Sequence, residues 1–422
     1  MMNLNIFSPR WRYRGSLLGL LAMLTVPSAG AVTQEIKALF TPDSSNPQRN
    51  EFVNKTPPSG YCEYYPDICA RSNIFSIRLM TRVESNKAMQ ANADSRNSAM
   101  FKAPAGWRSL LVTNVDTGDV KPVEVRIAGI SSNYELSHTA AKLTGASTPA
   151  DGHSALWKGS SWVNPAPPCQ TTGVGFLSEK TYAFFWLTPN ESPCVKVANF
   201  PIPAMSYTYL DFAYELRTPN PLDMSSGNYT GSLSYRLGPG ADFDFGDVMI
   251  PNDPELTLDF NLEVQHTLKV EIPPGGEKIQ LVPAGGWQSW LQAGRRPVSL
   301  FRDQTFNISA SSHFKMRIGC GPGINDECAL EDSEVNRRVE LFVFVSLPNG
   351  ITDLSGQPVR RLRLRPGAGN ELYFKPGFYV DRAPGTLHFE VPPHSMAGML
   401  RPGEGRGGRY TGVVRVYWDS DI

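Results

Sequence analysis

The chain has 422 residues, with 40 basic and 40 acidic side chains and a formal charge of zero at pH 7. That balance removes the bulk electrostatic case for a nucleic-acid or membrane-surface partner. The 37 glycines and 35 prolines suit many short strands joined by turns, and no long amphipathic helical stretch stands out.

At the start, Arg10, Arg12 and Arg14 precede an apolar run, Ser16 to Val26, that is too short to span a bilayer. Ala29-Gly30-Ala31 follows the small-x-small cleavage rule, so residues 1–31 are expected to be a signal peptide cut after Ala31. Three basic residues and no acid lie in that segment, which leaves 37 basic against 40 acidic side chains, a balance of −3. No later stretch is apolar enough to cross a membrane, so export is expected. The six cysteines fall in sequence-local pairs, Cys62/Cys69, Cys169/Cys194 and Cys320/Cys328. In an oxidising compartment, neighbour pairing into disulfides is the simplest outcome. The metal-site alternative is weaker: there is no Cys-x-x-Cys, and His153 and His313 do not stand at finger-like spacing.

Residues 32–75 read as a strand-poor lead-in, with Pro42, Pro47, Pro57, Pro58 and Pro66. From Ile74 the strand signals begin. Trp107–Asn114 and Val120–Ile130 bracket Asp116-Thr117-Gly118-Asp119 and read as a hairpin. Residues 143–168 are loop-like and carry Trp157 and Trp162, whose indoles either stack on sugars at the surface or pack in the core. Thr181–Leu187 reads as a buried strand, and Tyr207–Leu216 alternates up to Arg217. Gly227-Asn-Tyr229-Thr-Gly231 then opens an alternating strand to Leu237. Gly238-Pro-Gly240, the aspartates 242, 244 and 247, Pro251 and Pro254 mark a linker. Leu256–Ile272 reopens alternation for a long run, and further strands are expected at Trp287–Leu291, Thr305–Ile308, Phe314–Ile318, Arg338–Ser346, Val359–Leu364 and Thr386–Val391. Gly408-Arg-Tyr410-Thr-Gly412 repeats the earlier motif and opens a strand in which Tyr410, Val414, Val416 and Trp418 share a face.

No catalytic set is found, and no cofactor is expected. Gly152-His153-Ser154 begins like a nucleophile elbow but lacks the second glycine. Asp242-x-Asp244-x-Gly246-Asp247 begins like a calcium loop but lacks the rest of that pattern, and a solvated linker is the plainer reading. Arg361, Arg363 and Arg365 share one strand face in the run Arg360–Arg365, which reads either as a charged edge or as a partner surface.

In order along the chain, these motifs resemble the two-domain tip adhesins of bacterial chaperone–usher pili, in particular the colonization factor antigen I and cable pilus minor-subunit type. The resemblance rests on the Gly227–Leu237 strand and the basic-ended strand before it. It rests also on the local cysteine pairs and on the final strand from Gly408 to Trp418. It implies an all-β protein of two immunoglobulin-like β-sandwich domains in tandem, the second an incomplete pilin sandwich completed by a donor strand. The expected division is a signal peptide at 1–31, an adhesin domain at 32–245, a linker at 246–254 and a pilin domain at 255–422. The implied groove lies along Tyr410, Val414, Val416 and Trp418. It would be filled first by a periplasmic pilus chaperone and then, at an outer-membrane usher, by a strand of the major pilin subunit. Val32 onward is expected to enter a folded domain and not to serve as a donor strand. No strand follows Trp418 before Ile422, so none is expected to close the sandwich from within the chain.

The receptor would be a host cell-surface glycan or glycoprotein. Its candidate contacts are Arg217 with Lys121 on the neighbouring hairpin, and Trp157 with Trp162. The family's paired arginines are here a single Arg217 followed by Thr218, so a carried-over basic site is open. The expected location is the pilus tip at the cell surface, reached through the periplasm. The alternatives are a structural minor pilin or initiator without a receptor, and a secreted carbohydrate-active β-sandwich enzyme.

Overall fold

A computed structural model describes residues 32–294, 296–321, 323–399 and 408–420. The expected signal peptide and cleavage position at Ala31, and Ile422, lie outside the described residues. The described chain is nearly all β, and no helix among the described residues is long and apolar enough to cross a membrane. Two large hydrophobic cores form in sequence, one from strands up to Val264 and one from strands beyond it.

The first core is built on strands β1 (Val32–Phe40), β2 (Phe75–Leu79), β3 (Arg108–Asn114), β4 (Val120–Leu136), β5 (Gln170–Leu177), β6 (Thr181–Leu187), β7 (Leu210–Arg217), β8 (Gly227–Arg236) and β9 (Glu255–Val264). The 17-residue β4 organises them. It pairs antiparallel with β3 at its start, with β7 through its middle and with β6 towards its end. Val123, Val125 and Ile127 alternate inward along it and are fully buried.

Two expectations about this half are corrected. The lead-in at 32–75 is not strand-poor: β1 alternates Ile36, Ala38 and Phe40 into the core and pairs parallel with β9 over its whole length. The prolines that suppressed the strand reading all lie beyond Phe40. The division at 246–254 also does not hold. Phe243, Phe245 and Val248 are fully buried, Met249–Pro251 pairs with Val83–Ser85, and β9 is bound on one edge by β8 and on the other by β1. Leu256, Leu258, Phe260, Leu262 and Val264 accordingly sit in the first core. Burial and ladder pairing both tie 246–264 to the first sheet, so the break falls at residues 265–267.

The aspartates of the supposed linker are held by arginines. Arg108 meets Asp242 at 2.6 Å, and Arg96 meets Asp244 at 3.0 Å and Asp247 at 2.7 Å. Gly246 lies at φ 82°, where a Cβ would stand 2.6 Å from the Arg96 carbonyl oxygen, so glycine is required there.

The loop-like stretch 143–168 contains the helix Pro149–Leu156, capped by the Thr148 hydroxyl. Its Gly152-His153-Ser154 is not a nucleophile elbow. His153 donates from Nε2 to the Ser178 carbonyl (2.8 Å) and accepts at Nδ1 from the Tyr134 hydroxyl (2.6 Å), which accepts in turn from Trp157 Nε1 (3.1 Å). Nearby, the buried Lys196 ammonium donates to the carbonyls of Lys158, Ser160, Ser161 and Asn164 at 2.9–3.5 Å. Burial pulls its pKa down to about 8, while the four carbonyls favour the charged form.

The second core uses strands β10 (Leu268–Glu271), β11 (Leu300–Ala310), β12 (Phe314–Cys320), β13 (Glu327–Asp332), β14 (Arg337–Ser346), β15 (Leu362–Leu364), β16 (Leu372–Pro376), β17 (Val380–Val391) and β18 (Val414–Asp419). One sheet runs β10-β11-β17-β14-β13, with β15 on the far half of β14, and the other contains β16-β12-β18. Trp287–Leu291 was expected as a strand, but Gln288–Ala293 is a helix. The disulfides Cys62–Cys69, Cys169–Cys194 and Cys320–Cys328 join the sequence neighbours.

Between the cores, Gln265 N donates to the Phe40 carbonyl (2.9 Å) and Tyr379 N to the Pro47 carbonyl (3.2 Å). His266 donates from Nε2 to the Met224 carbonyl (2.8 Å) and accepts at Nδ1 from the Ser311 hydroxyl (3.1 Å).

Replacing Lys196 by Met strands four carbonyl acceptors, and we expect a loss of about 2 kcal/mol in urea unfolding. Burial holds His266 and His153 below the usual histidine value. The unfolded chain therefore takes up these protons first as pH falls, and stability is lost from about pH 6.5 downward. Thermal unfolding followed from neutral to mildly acidic pH should show this decline, with a shallower slope in His266→Gln.

Candidate functional site

The first site is a groove in the second core. Strand β18 alternates: Val414, Val416 and Trp418 turn towards the core and Arg415 turns to solvent. Trp418 packs edge-on against Phe306 with ring centres 5.0 Å apart. One edge of β18 is hydrogen-bonded to β12 from Val414 to Asp419. No strand pairs with its other edge among the described residues. Beside its start lies a cavity of about 590 Å³ lined by Ile279, Leu281, Leu330, Leu341, Phe389 and Val414. Tyr410 lines it too, with its hydroxyl donating to the Gly398 carbonyl (2.8 Å). Ile279, Leu281, Val414, Val416 and Trp418 are only half-buried, whereas the equivalent inward residues of β9 are covered almost completely.

The floor residues were not singled out from sequence. Ile279, Leu281 and Pro283 alternate, but glycines and charges on either side masked so short a run. The five-residue repeat also divides here. Its first copy lies within the ten-residue β8, whereas Gly408–Gly412 makes only a bridge from Thr411 to Glu331 before β18 begins.

The second site is on the outer face of the first core. Trp107 lies under two guanidinium groups, Arg217 at 3.8 Å and Arg126 at 5.1 Å from the ring centre. Arg126 pairs with Glu215 at 2.6 Å, and Arg217, 60% exposed, reaches Glu124 at 3.5 Å. Trp107 and Arg126 were missed in the sequence. Arg126 stands two residues from Glu124, the register partner of Arg217, but that register needs the fold.

The other receptor candidates are corrected. Lys121 does not join Arg217. It shares the parity of the inward residues Val123 and Val125, while Glu124 and Arg126 take the outer face. Lys121 pairs instead with Asp119 at 3.3 Å, at the joint between the cores. Burial raises the Asp119 carboxyl, but the Tyr229 hydroxyl (2.7 Å) and Lys121 outweigh it and leave the pKa lowered. Trp157 and Trp162 are 1% and 0% exposed, packed with Tyr134, Phe184 and Trp186, so no sugar can stack on them. Arg361 pairs with Glu390 (3.0 Å), and Arg363 and Arg365 both reach the buried Glu327 (3.0 and 3.4 Å). Arg363 also stacks on Phe342, so this face is an ion-paired edge strand.

Among solved structures, the chain is similar to CfaE, the adhesive subunit of the CFA/I fimbria of enterotoxigenic Escherichia coli. Identity is 10% and the TM-score 0.25, over 92% of each chain. A chaperone–tip adhesin complex of CFA/I fimbriae gives 10% and 0.25, over 93% of this chain and 97% of that one. The CsuC–CsuE chaperone–tip adhesin complex of Acinetobacter baumannii gives 8% and 0.20, over 92% and 98%. No family model and no curated protein matches the chain.

Trp162→Ala should cost about 3–5 kcal/mol in chemical denaturation, as removal of a core aromatic does. Arg217→Ala should cost under about 1 kcal/mol, as expected of an exposed stacked cation. Equal losses would contradict the assignment of one residue to the core and the other to the surface.

Proposed function

We propose that the protein is a pilus-tip adhesin assembled by donor-strand complementation. The observation that carries this reading is the half-covered apolar groove beside the edge of β18 that no strand pairs with among the described residues. A strand laid there would bond its backbone to β18 and seat alternate apolar side chains over Ile279, Leu281 and Leu341. An apolar edge left open invites aggregation, so a periplasmic chaperone is the fitting first occupant and a strand of the next pilin subunit, exchanged at an outer-membrane usher, the second. The strand β1 is paired along its whole length within its own sheet, which makes it unsuited to donation and suits a place at the tip.

In this reading the second core is the pilin domain and the first the receptor-binding domain, divided at residues 265–267. The Arg217–Trp107–Arg126 stack is its receptor face. An exposed guanidinium over an indole suits an acidic group of a host surface glycan or glycoprotein.

A synthetic peptide of alternating apolar residues, added to the full chain, should raise its Tm and protect β18 amides from hydrogen exchange. Leu281→Arg, which places a charge in the groove, should abolish both effects. A chain that stays monodisperse alone and ignores the peptide would sink the reading. For the receptor face, Arg217→Ala should cut binding to host cells at least tenfold while leaving the peptide effect intact.

A further inference from the structure

A second cavity, of about 460 Å³, lies at the joint between the two cores. Its size falls within the roughly 300–1,000 Å³ of small-molecule sites, which favour such junctions. Its wall is polar and comes from both sides: Asp119, Lys121, Asp223 and Ser225 from the first core, Ser312 and His313 from the second. Ser312 is 6% exposed, and its hydroxyl makes no hydrogen bond to any of the described residues. A buried hydroxyl without a partner is costly, so a group supplied from outside is called for.

The charges decide what that group is. Lys121 offsets Asp119 at 3.3 Å, and His313 stands 3.9 Å from Asp223. Two carboxylates thus face one ammonium and an imidazole that is charged only if protonated, so the wall leans negative, which disfavours a phosphate or sulfate. Among the described residues no cluster of three or more metal-ligating side chains exists. Carboxylate acceptors, an ammonium donor and serine hydroxyls on one wall match a ligand carrying several neighbouring hydroxyl groups.

We propose that this cavity binds a neutral, polyhydroxylated small molecule of pyranose size, and that the bound molecule bridges the two cores. Asp119 and Asp223 accept from its hydroxyls, Lys121 donates, and the Ser312 hydroxyl gains the partner that the fold withholds. The site is separate from both the groove and the Arg217 face, so it stands or falls independently of the adhesin reading.

The test uses the full chain with methyl galactopyranoside, methyl glucopyranoside and myo-inositol, followed by saturation-transfer NMR and thermal shift. At least one should bind saturably in the millimolar range and raise Tm. Ser312→Ala, which removes no internal hydrogen bond, should leave the sugar-free Tm unchanged and weaken binding roughly tenfold. Lys121→Met should weaken it similarly, and Arg217→Ala not at all. Absence of saturable binding by all three, binding unaffected by both joint variants, or a preference for inorganic phosphate would each overturn the proposal.

Discussion

The structure turns on how many edges of a strand are satisfied. Strand β9 has a partner on each side, β8 antiparallel and β1 parallel, and its inward side chains are sealed. Strand β18 has one among the described residues, and its inward side chains remain half-open beside an apolar cavity. Backbone amides and carbonyls must be paired or wet, so the last strands of the two cores differ in kind, although both are read as alternating strands. With both edges of β9 taken, the chain leaves the first sheet at Gln265, and His266 fastens the turn to residues of both cores.

Much of the fold was legible because period-2 alternation names the buried face of a strand without any partner. It does not name the partner. The pairing of β1 with β9 joins residues more than 200 positions apart, and nothing local announces it. Alternation also ran through Leu256–Ile272 as if it were one strand, because Gln265-His266-Thr267 keeps the polar rhythm while the chain changes sheets. The repeated Gly-x-Tyr-Thr-Gly was visible as two copies but not as two conformations. What the copies share is their last glycine. A Cβ at Gly231 would lie 2.5 Å from the Leu111 carbonyl oxygen, and one at Gly412 would lie 2.8 Å from that of Ala329. The motif marks close approach to a neighbouring backbone, whether or not a strand forms there.

The candidate sites were less legible, because exposure is a tertiary property. Trp157 and Trp162 sit in a stretch rich in glycine, serine and proline, which reads as surface. Both indoles nonetheless point into the core, just beyond the helix Pro149–Leu156. Lys121 sits on the hairpin expected beside Arg217, yet its parity and the Arg217–Glu124 register put the two on opposite faces. The cysteine pairs were readable because each cysteine has a near neighbour in sequence, which is the simplest partner in an oxidising compartment.

Lys196 gives the loop at residues 158–164 an unusual independence. Four inward carbonyl oxygens resemble the donor shell with which many extracellular loops hold a calcium ion. Here the central cation is part of the polypeptide and cannot diffuse away. The loop's order therefore draws its central cation from the chain and not from the surrounding medium.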